Sequence, residues 1–332
     1  MCSISLTCSE NIKALTQKDT IYLEQIYTCM RFTEWPVSHR MEDNSNWVLE
    51  VEEALLDEAP PERIRILLAG GFFTGCFVFH IYLEYLFFIL GYSGRPLPLS
   101  LRSDVWTHCL EISERKSRVE KFDDVYDHPE QPAIHQAAAN LVAGANLQLQ
   151  AEAESILTVF FKNSGVAFNK SLSSLMKPII NLNLTRNEKY SIFQTVLDRF
   201  IPKNLKDSAV FDLARLLLLY HDPQLCNHLD SLKIGFQHFS LSWFSSLMAE
   251  DCEVEVSAQL WDLYLVNQDP WIIFFMVTVM LVNFRDNIIE VVDDREELLA
   301  RLRRLPSQIE ADDIPDLVTL AQVLYEDYFS NV

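Results

Sequence analysis

The sequence predicts an all-α protein, and three observations support this. Apolar residues recur at helical spacing in the second half of the chain, as in Leu213, Leu217 and Tyr220. Only eight of the 332 residues are glycine, so few positions require a left-handed backbone, and a turn-rich β fold is disfavoured. Asp-Pro pairs at 222–223 and 269–270 suit helix starts, because aspartate caps free N–H groups and proline in the first turn loses no hydrogen bond.

Helix candidates follow one another along the chain with short joints. The first spans 47–57, and Ala59-Pro60-Pro61-Glu62 ends it and begins a second that stops at Gly70-Gly71. Gly165 is predicted to end a helix as well. The later candidates span residues 134–149, 151–161, 172–182, 186–200, 212–220, 240–249, 256–266, 271–283, 295–305 and 315–329.

The domain organisation predicted from this pattern has four segments. Residues 1–40 are a poorly defined extension, 41–71 hold the N-terminal helices, 72–93 are an apolar insertion and 94–332 are the main domain. The insertion has three interpretations: a segment foreign to the domain (a gene-model artefact, for example), a core helix, or a membrane span. Its apolar stretch 72–90 is 19 residues long, enough to cross a bilayer, but it contains His80 and Glu84. A central carboxylate costs about 2.5–3.5 kcal/mol in a membrane, which disfavours the span.

Charge and cysteine usage exclude several classes of function. The net charge of −20 repels nucleic acid, DNA included, and anionic lipid, so neither is expected as a general partner. The seven cysteines include no Cys-x-x-Cys pair, which predicts reduced, buried thiols in a cytosolic protein. Glycine-rich phosphate loops, His-Glu-x-x-His and Gly-x-Ser-x-Gly are absent, and the histidines do not fall at metal-ligand spacing. We therefore expect neither a metal nor a cofactor.

The order of residues in the second half is more specific than its periodicity. Leu-Leu-x-x-His-Asp-Pro-x-Leu-x-x-His-Leu is followed by Ser-Trp-Phe and then by Leu-Trp-Asp-Leu-Tyr-Leu. This order resembles a TBC domain, the helical domain of proteins that stimulate GTP hydrolysis by Rab GTPases. The resemblance begins near Gly94 and implies a multi-helix fold of two packed helical subdomains. The motif positions that carry it are Arg102, Trp106, His228, Trp243, Trp261 and Asp262.

The resemblance also implies two catalytic side chains that this chain lacks. Active TBC domains supply an arginine from Ile-x-x-Asp-x-x-Arg and a glutamine from Tyr-x-Gln-Gly. The first motif aligns with 134–140, which places Ala137 at the aspartate and Asn140 at the arginine. The second places Phe168 at the tyrosine and Lys170 at the glutamine. Asparagine cannot replace a guanidinium, and lysine has no acceptor with which to orient water. The site residues therefore predict a domain without catalytic activity.

No other arginine in the sequence matches the position of the missing catalytic arginine. Arg186 and Arg199 match neither finger position, and we interpret them as solvated charges on a helix face. The alternative hypothesis is a Rab GTPase activator that uses non-standard catalytic residues. A third is a TBC remnant that binds a Rab without stimulating it.

Segments 127–131 and 220–226 resemble one branch of the family more closely. In that branch the TBC domain binds the tips of golgin coiled coils at the trans-Golgi network. A separate C-terminal domain holds endosome-derived vesicles there. The resemblance implies an adaptor in retrograde transport whose membrane association is indirect. The branch's rhodanese-like and C-terminal domains would lie beyond Val332.

Overall fold

The computed structural model describes residues 47–68, 97–112, 122, 126–142, 146–202, 205, 209–291 and 294–331. Within these ranges every regular element is helical, which confirms the all-α prediction. The α-helices are α1 Trp47–Leu56, α2 Pro61–Leu68, α3 Leu99–Cys109, α4 Gln131–Leu141, α5 Leu147–Ser164, α6 Lys170–Ser174, α7 Lys177–Ile180, α8 Arg186–Arg199, α9 Ala209–His221, α10 Pro223–Ser231, α11 Leu241–Ser246, α12 Val254–Asn267, α13 Ile272–Asn283, α14 Arg285–Ile289, α15 Arg295–Arg304 and α16 Ile314–Asn331.

Several helix ends lie where the sequence places them. Asp222 caps α10, since its Oδ1 accepts a hydrogen bond from the backbone N of Leu225 at 2.9 Å. Gly165 follows α5 with φ 63°, a left-handed value that glycine adopts without strain, so the predicted helix end is confirmed. Asp269 binds the backbone N of Trp271 at 2.8 Å, one residue before α13 begins.

Two predicted helices are wrong in extent. The helix predicted at 134–149 is two helices, because Asn146 accepts a hydrogen bond from the backbone N of Leu149 and so begins α5. The helix predicted at 172–182 is also two, α6 and α7. Pro178 lies in the first turn of α7 and has no N–H with which to continue the hydrogen-bond ladder of α6.

The core is centred on α12, most of whose residues are buried. It packs against α3, α7 and α16. Trp106, Trp243 and Trp261 are fully buried and are the largest side chains of this core. Burial of apolar surface is the main stabilising contribution to such a fold. Cys109, Cys226 and Cys252 are buried free thiols, as predicted for them.

Some predictions concern parts of the chain that the structure leaves undescribed. The extension 1–40 and the insertion 72–93 lie outside the described residues. The three interpretations of the insertion therefore stay open. Among the described helices, none has both the length and the apolar character needed to cross a bilayer.

Candidate functional site

Three of the motif positions meet in the core between α3 and α12. The Arg102 guanidinium donates from Nε to both carboxylate oxygens of Asp262, each at 3.1 Å, and from Nη2 to Oδ2 at 3.0 Å. The indole Nε1 of Trp106 donates to Oδ1 of the same carboxylate at 2.8 Å. Arg102 also binds a partly exposed residue, since its Nη2 donates to Glu255 at 3.1 Å. The motif therefore forms one hydrogen-bonded cluster inside the protein.

The electrostatics of this cluster depend on its burial. Burial raises the pKa of Asp262 above its ordinary value, and the Arg102 guanidinium opposes that rise. Every contact made to the carboxylate comes from a donor, so only its ionised form satisfies all of them. The neighbouring guanidinium compensates the buried carboxylate charge, and Arg102 itself is held inside the fold.

The remaining motif positions lie in the second half of the domain, where the two tryptophan side chains pack in the core. Trp261 donates from Nε1 to the backbone carbonyl of Leu247 at 3.3 Å, and its ring lies 5.9 Å from that of Trp106. Trp243 packs edge-on against Phe239 at 5.2 Å. His228 is half-buried on α10, where its carbonyl accepts a hydrogen bond from the Ser231 hydroxyl. These contacts stabilise the second half of the domain.

The arginine-finger position lies near the C-terminal end of α4. Asn140 is exposed, and its Oδ1 accepts a hydrogen bond from Nε2 of Gln136, one turn earlier, at 3.1 Å. Ala137, at the aspartate position, is half-buried and offers no polar group. Asn140 and Gln136 form a pair of neutral amides here, whereas the resemblance implies an aspartate and an arginine at positions 137 and 140.

The glutamine-finger position begins α6, which packs against α4. Phe168 lies half-buried with its ring 5.5 Å from Phe161, and its backbone N donates to Glu130 at 2.8 Å. Lys170 is the first residue of α6, and 72% of its side chain is exposed. Its Nζ binds Oε1 of Glu250 at 2.8 Å, and this bond raises the pKa of Lys170. The ammonium is directed to the chain's own carboxylate.

The sequence matches the family model of the Rab-GTPase-TBC domain over residues 99–289, more than half of the chain. The protein belongs to the Rab-GTPase-TBC domain family. The matched range contains all six motif positions and both finger positions.

Individual relatives agree with this assignment. The chain is 23% identical over 242 residues to a TBC domain-containing protein kinase-like protein of Dictyostelium discoideum, covering 64% of this chain and 22% of the relative. It is 30% identical over 88 residues to human TBC1 domain family member 22A, covering 26% of this chain and 17% of that protein. The chain thus spans under a quarter of the length of these curated relatives.

Solved structures share the fold. The crystal structure of the Chlamydomonas flagellar RabGAP TBC domain superposes with a TM-score of 0.63 at 14% identity, covering 83% of this chain and 91% of that one. The Ypt/Rab-GAP domain of Gyp1p superposes with a TM-score of 0.54 at 14% identity, covering 86% of this chain and all of that one. At this identity the likeness establishes the helical fold of the TBC domain.

Other cations of this TBC domain are engaged within the chain. Lys162 forms an ion pair with Asp127. The interpretation of Arg186 as a solvated charge is wrong: its guanidinium lies 5.4 Å from the Phe122 ring centroid and donates to the Ser155 hydroxyl at 3.2 Å. No cluster of three metal-ligating side chains occurs among the residues that the structure describes.

Sequence reasoning missed the residues that engage Lys170. Glu250 lies 80 positions along the chain from Lys170, in a turn that carries no motif. Lys177 belongs to the same contact set, because its Nζ donates to the backbone carbonyls of Glu250 and Cys252. A surface charge pair at that separation leaves no periodic signal, so only the folded arrangement could identify it.

Proposed function

We propose that this TBC domain binds partner proteins without stimulating GTP hydrolysis. The observation that carries the proposal is the state of the two finger positions. Asn140 is an amide bonded to Gln136, and Lys170 is a cation bonded to Glu250. Neither position presents the group that the reaction requires.

The expected loss of activity is large. An arginine finger that stabilises charge on the transferring phosphoryl group contributes about 10³–10⁵ to the rate. Asn140 carries no charge and is several bonds shorter than arginine. Lys170 has donors only, so it cannot accept a hydrogen bond from the attacking water and orient it as a glutamine carbonyl would. Losing both groups leaves a surface suited to association alone.

The partner class follows from resemblance. Segments 127–131 and 220–226, with the degenerate finger motifs, resemble TBC domain family member 23. We therefore propose an adaptor that binds golgin coiled-coil tips at the trans-Golgi network and takes part in the capture of endosome-derived vesicles. An amphipathic golgin helix docking in a groove between helices is the natural mode of contact. Membrane association would then be indirect.

A single-turnover assay of GTP hydrolysis tests the loss of catalysis. The chain is added in excess to each member of a panel of GTP-loaded Rab proteins, with an active TBC domain as the positive control. We expect intrinsic rates throughout. Hydrolysis above the intrinsic rate that N140A and K170A each abolish would overturn the proposal in favour of an activator with non-standard catalytic residues.

Retention of golgin N-terminal peptides on the immobilised chain tests the partner class. The matched control is a peptide of the same composition in scrambled order, which removes the amphipathic face. We expect retention of the native peptide alone. Binding of a Rab protein together with no binding of any golgin peptide would favour the hypothesis of a Rab-binding remnant.

A further inference from the structure

The turn that joins α11 to α12, residues 247–252, has an unfavourable backbone. Leu247 and Met248 have φ values of 48° and 64°, in the left-handed region that disfavours residues with a Cβ. Both side chains are 1% exposed, so they are committed to the core. Two consecutive non-glycine residues in this region persist only where surrounding contacts fix them.

Contacts from the core fix the first part of the turn. The carbonyl of Leu247 accepts the hydrogen bond from Trp261 Nε1 at 3.3 Å. The backbone N of Met248 donates to the carbonyl of Trp243 at 2.8 Å. Two motif tryptophans therefore hold the turn from within, through its left-handed residues.

Contacts from the opposite side come from one short stretch, residues 170–177. Lys170 Nζ binds Glu250 Oε1 at 2.8 Å, and the Ser171 hydroxyl donates to the same carboxylate. Lys177 Nζ donates to the carbonyl of Glu250 at 3.2 Å and to that of Cys252 at 2.8 Å. Because α6 and α7 supply all three side chains, the finger-position helix is fastened to the second half of the domain.

We propose that Lys170 is a positioning residue that clamps the turn 247–252 through Glu250. The Glu250 side chain is only 13% exposed, so its carboxylate needs a cation more than a solvated surface acid does. Asp251 adjoins it and places a second acidic group in the same turn, where it forms a hydrogen bond with Ser242 and burial raises its pKa. A neutral side chain at position 170 would leave the Glu250 carboxylate with the Ser171 hydroxyl, because Lys177 donates to backbone carbonyls of the turn.

The clamp gives position 170 a role that does not depend on any partner or on GTP. A glutamine at that position is shorter than lysine and uncharged, so it would lose the ion pair. Reversion to the family's glutamine would therefore loosen the turn while it restored the amide. The clamp consists of contacts within the chain, so the clamp and the proposed function can fail independently of each other.

Amide hydrogen exchange across residues 247–252 of the full chain tests the clamp. We compare the wild type with K170M, K170R, E250Q and the K170M/E250Q double variant. R301M is the matched control, since it removes an exposed ion pair between Arg301 and Glu297 on α15. We expect K170M to speed exchange in the turn about tenfold, with no further increase in the double variant. K170R, which keeps the cation, and R301M should leave the rates unchanged.

Two results would overturn the clamp: exchange in the turn that K170M leaves unchanged, or acceleration by K170R equal to that by K170M. If K170M does not fold, salt supplies the test on the wild type. Raising ionic strength to about 1 M shortens the screening length to about 3 Å and should speed exchange in the turn relative to α12. Rates that do not respond to salt would also refute the proposal.

Discussion

The buried motif cluster and the exposed predicted finger positions differ in how well the fold tolerates substitution there. In the cluster, Arg102 and Trp106 both donate to Asp262, Arg102 also binds Glu255, and the side chains of Arg102, Trp106 and Asp262 are excluded from solvent. At the surface, Asn140 and Lys170 are exposed, and they differ from the arginine and glutamine that the sequence resemblance implies at these positions. We expect the TBC fold to depend on the buried set and to tolerate substitution at the exposed positions.

The physical reason for this expectation is that the cluster is buried and the predicted finger positions are exposed. Removing one partner of a buried ion pair leaves an uncompensated charge, which costs about 3–5 kcal/mol. Changing an exposed side chain usually costs less than about 0.5 kcal/mol. Substitutions at exposed positions such as 140 and 170 are therefore compatible with retention of the TBC fold.

The largest expected effect is that of R102M. The variant keeps an apolar stem but leaves the Asp262 carboxylate buried without its cation, so we expect about 3–5 kcal/mol less unfolding free energy in urea. R301M, at an exposed pair, should lose less than about 0.5 kcal/mol. A loss below about 1 kcal/mol for R102M would remove the contrast between the two regions.

W106F comes next, because it removes one donor to the buried carboxylate. A hydrogen bond to a charged group contributes about 1.5–3 kcal/mol, and the smaller ring leaves a cavity as well. We expect a loss of about 2–3 kcal/mol in chemical unfolding. W261F is the matched control, since its indole donates to the neutral Leu247 carbonyl and should cost less. Equal losses would show that packing alone accounts for Trp106.

Asp269 is a second, partly buried carboxylate, but its partner is a backbone N–H rather than a guanidinium. Burial raises its pKa to about 6, from an ordinary value of about 3.9. Between those values the folded state keeps a proton that the unfolded state has released, so the unfolding free energy falls as pH rises through this window. Because Asp269 keeps some solvent contact, we expect the unfolding free energy to fall by about 1 kcal/mol across this window.

D269N removes this titration and retains an acceptor for the Trp271 N–H. Unfolding free energies of both proteins at about pH 4 and about pH 7 measure the effect. We expect D269N to gain stability relative to the wild type as pH rises through this window. A difference between the two proteins that stays constant with pH would contradict the assignment.

N140A has the smallest expected effect. It deletes an exposed amide whose bond is to Gln136 on the same helix, so we expect a change of less than about 0.5 kcal/mol in unfolding free energy. A138L, at a fully buried position of α4, is the contrasting variant and should lose about 1–3 kcal/mol by overpacking. A loss above about 1 kcal/mol for N140A would mean that the finger position supports the fold.

The parts of the fold that sequence could predict are those with local causes. Asp222 begins α10 and Gly165 ends α5 through contacts within a few residues, so both helix ends could be predicted. The break between α4 and α5 was not, because apolar periodicity runs on through 134–149 and Asn146 is one of several polar residues there that could cap a helix. Pro178 carried a usable signal for the division of α6 from α7.

The helical class, the family and the residues predicted at the finger positions follow from the order and spacing of side chains along the chain. The partners of those side chains follow from the packing of the helices. Arg102 and Asp262 are 160 positions apart and Lys170 and Glu250 are 80 apart. Partners at such separations are set by how helices pack, and an ion pair leaves no periodic trace along the chain.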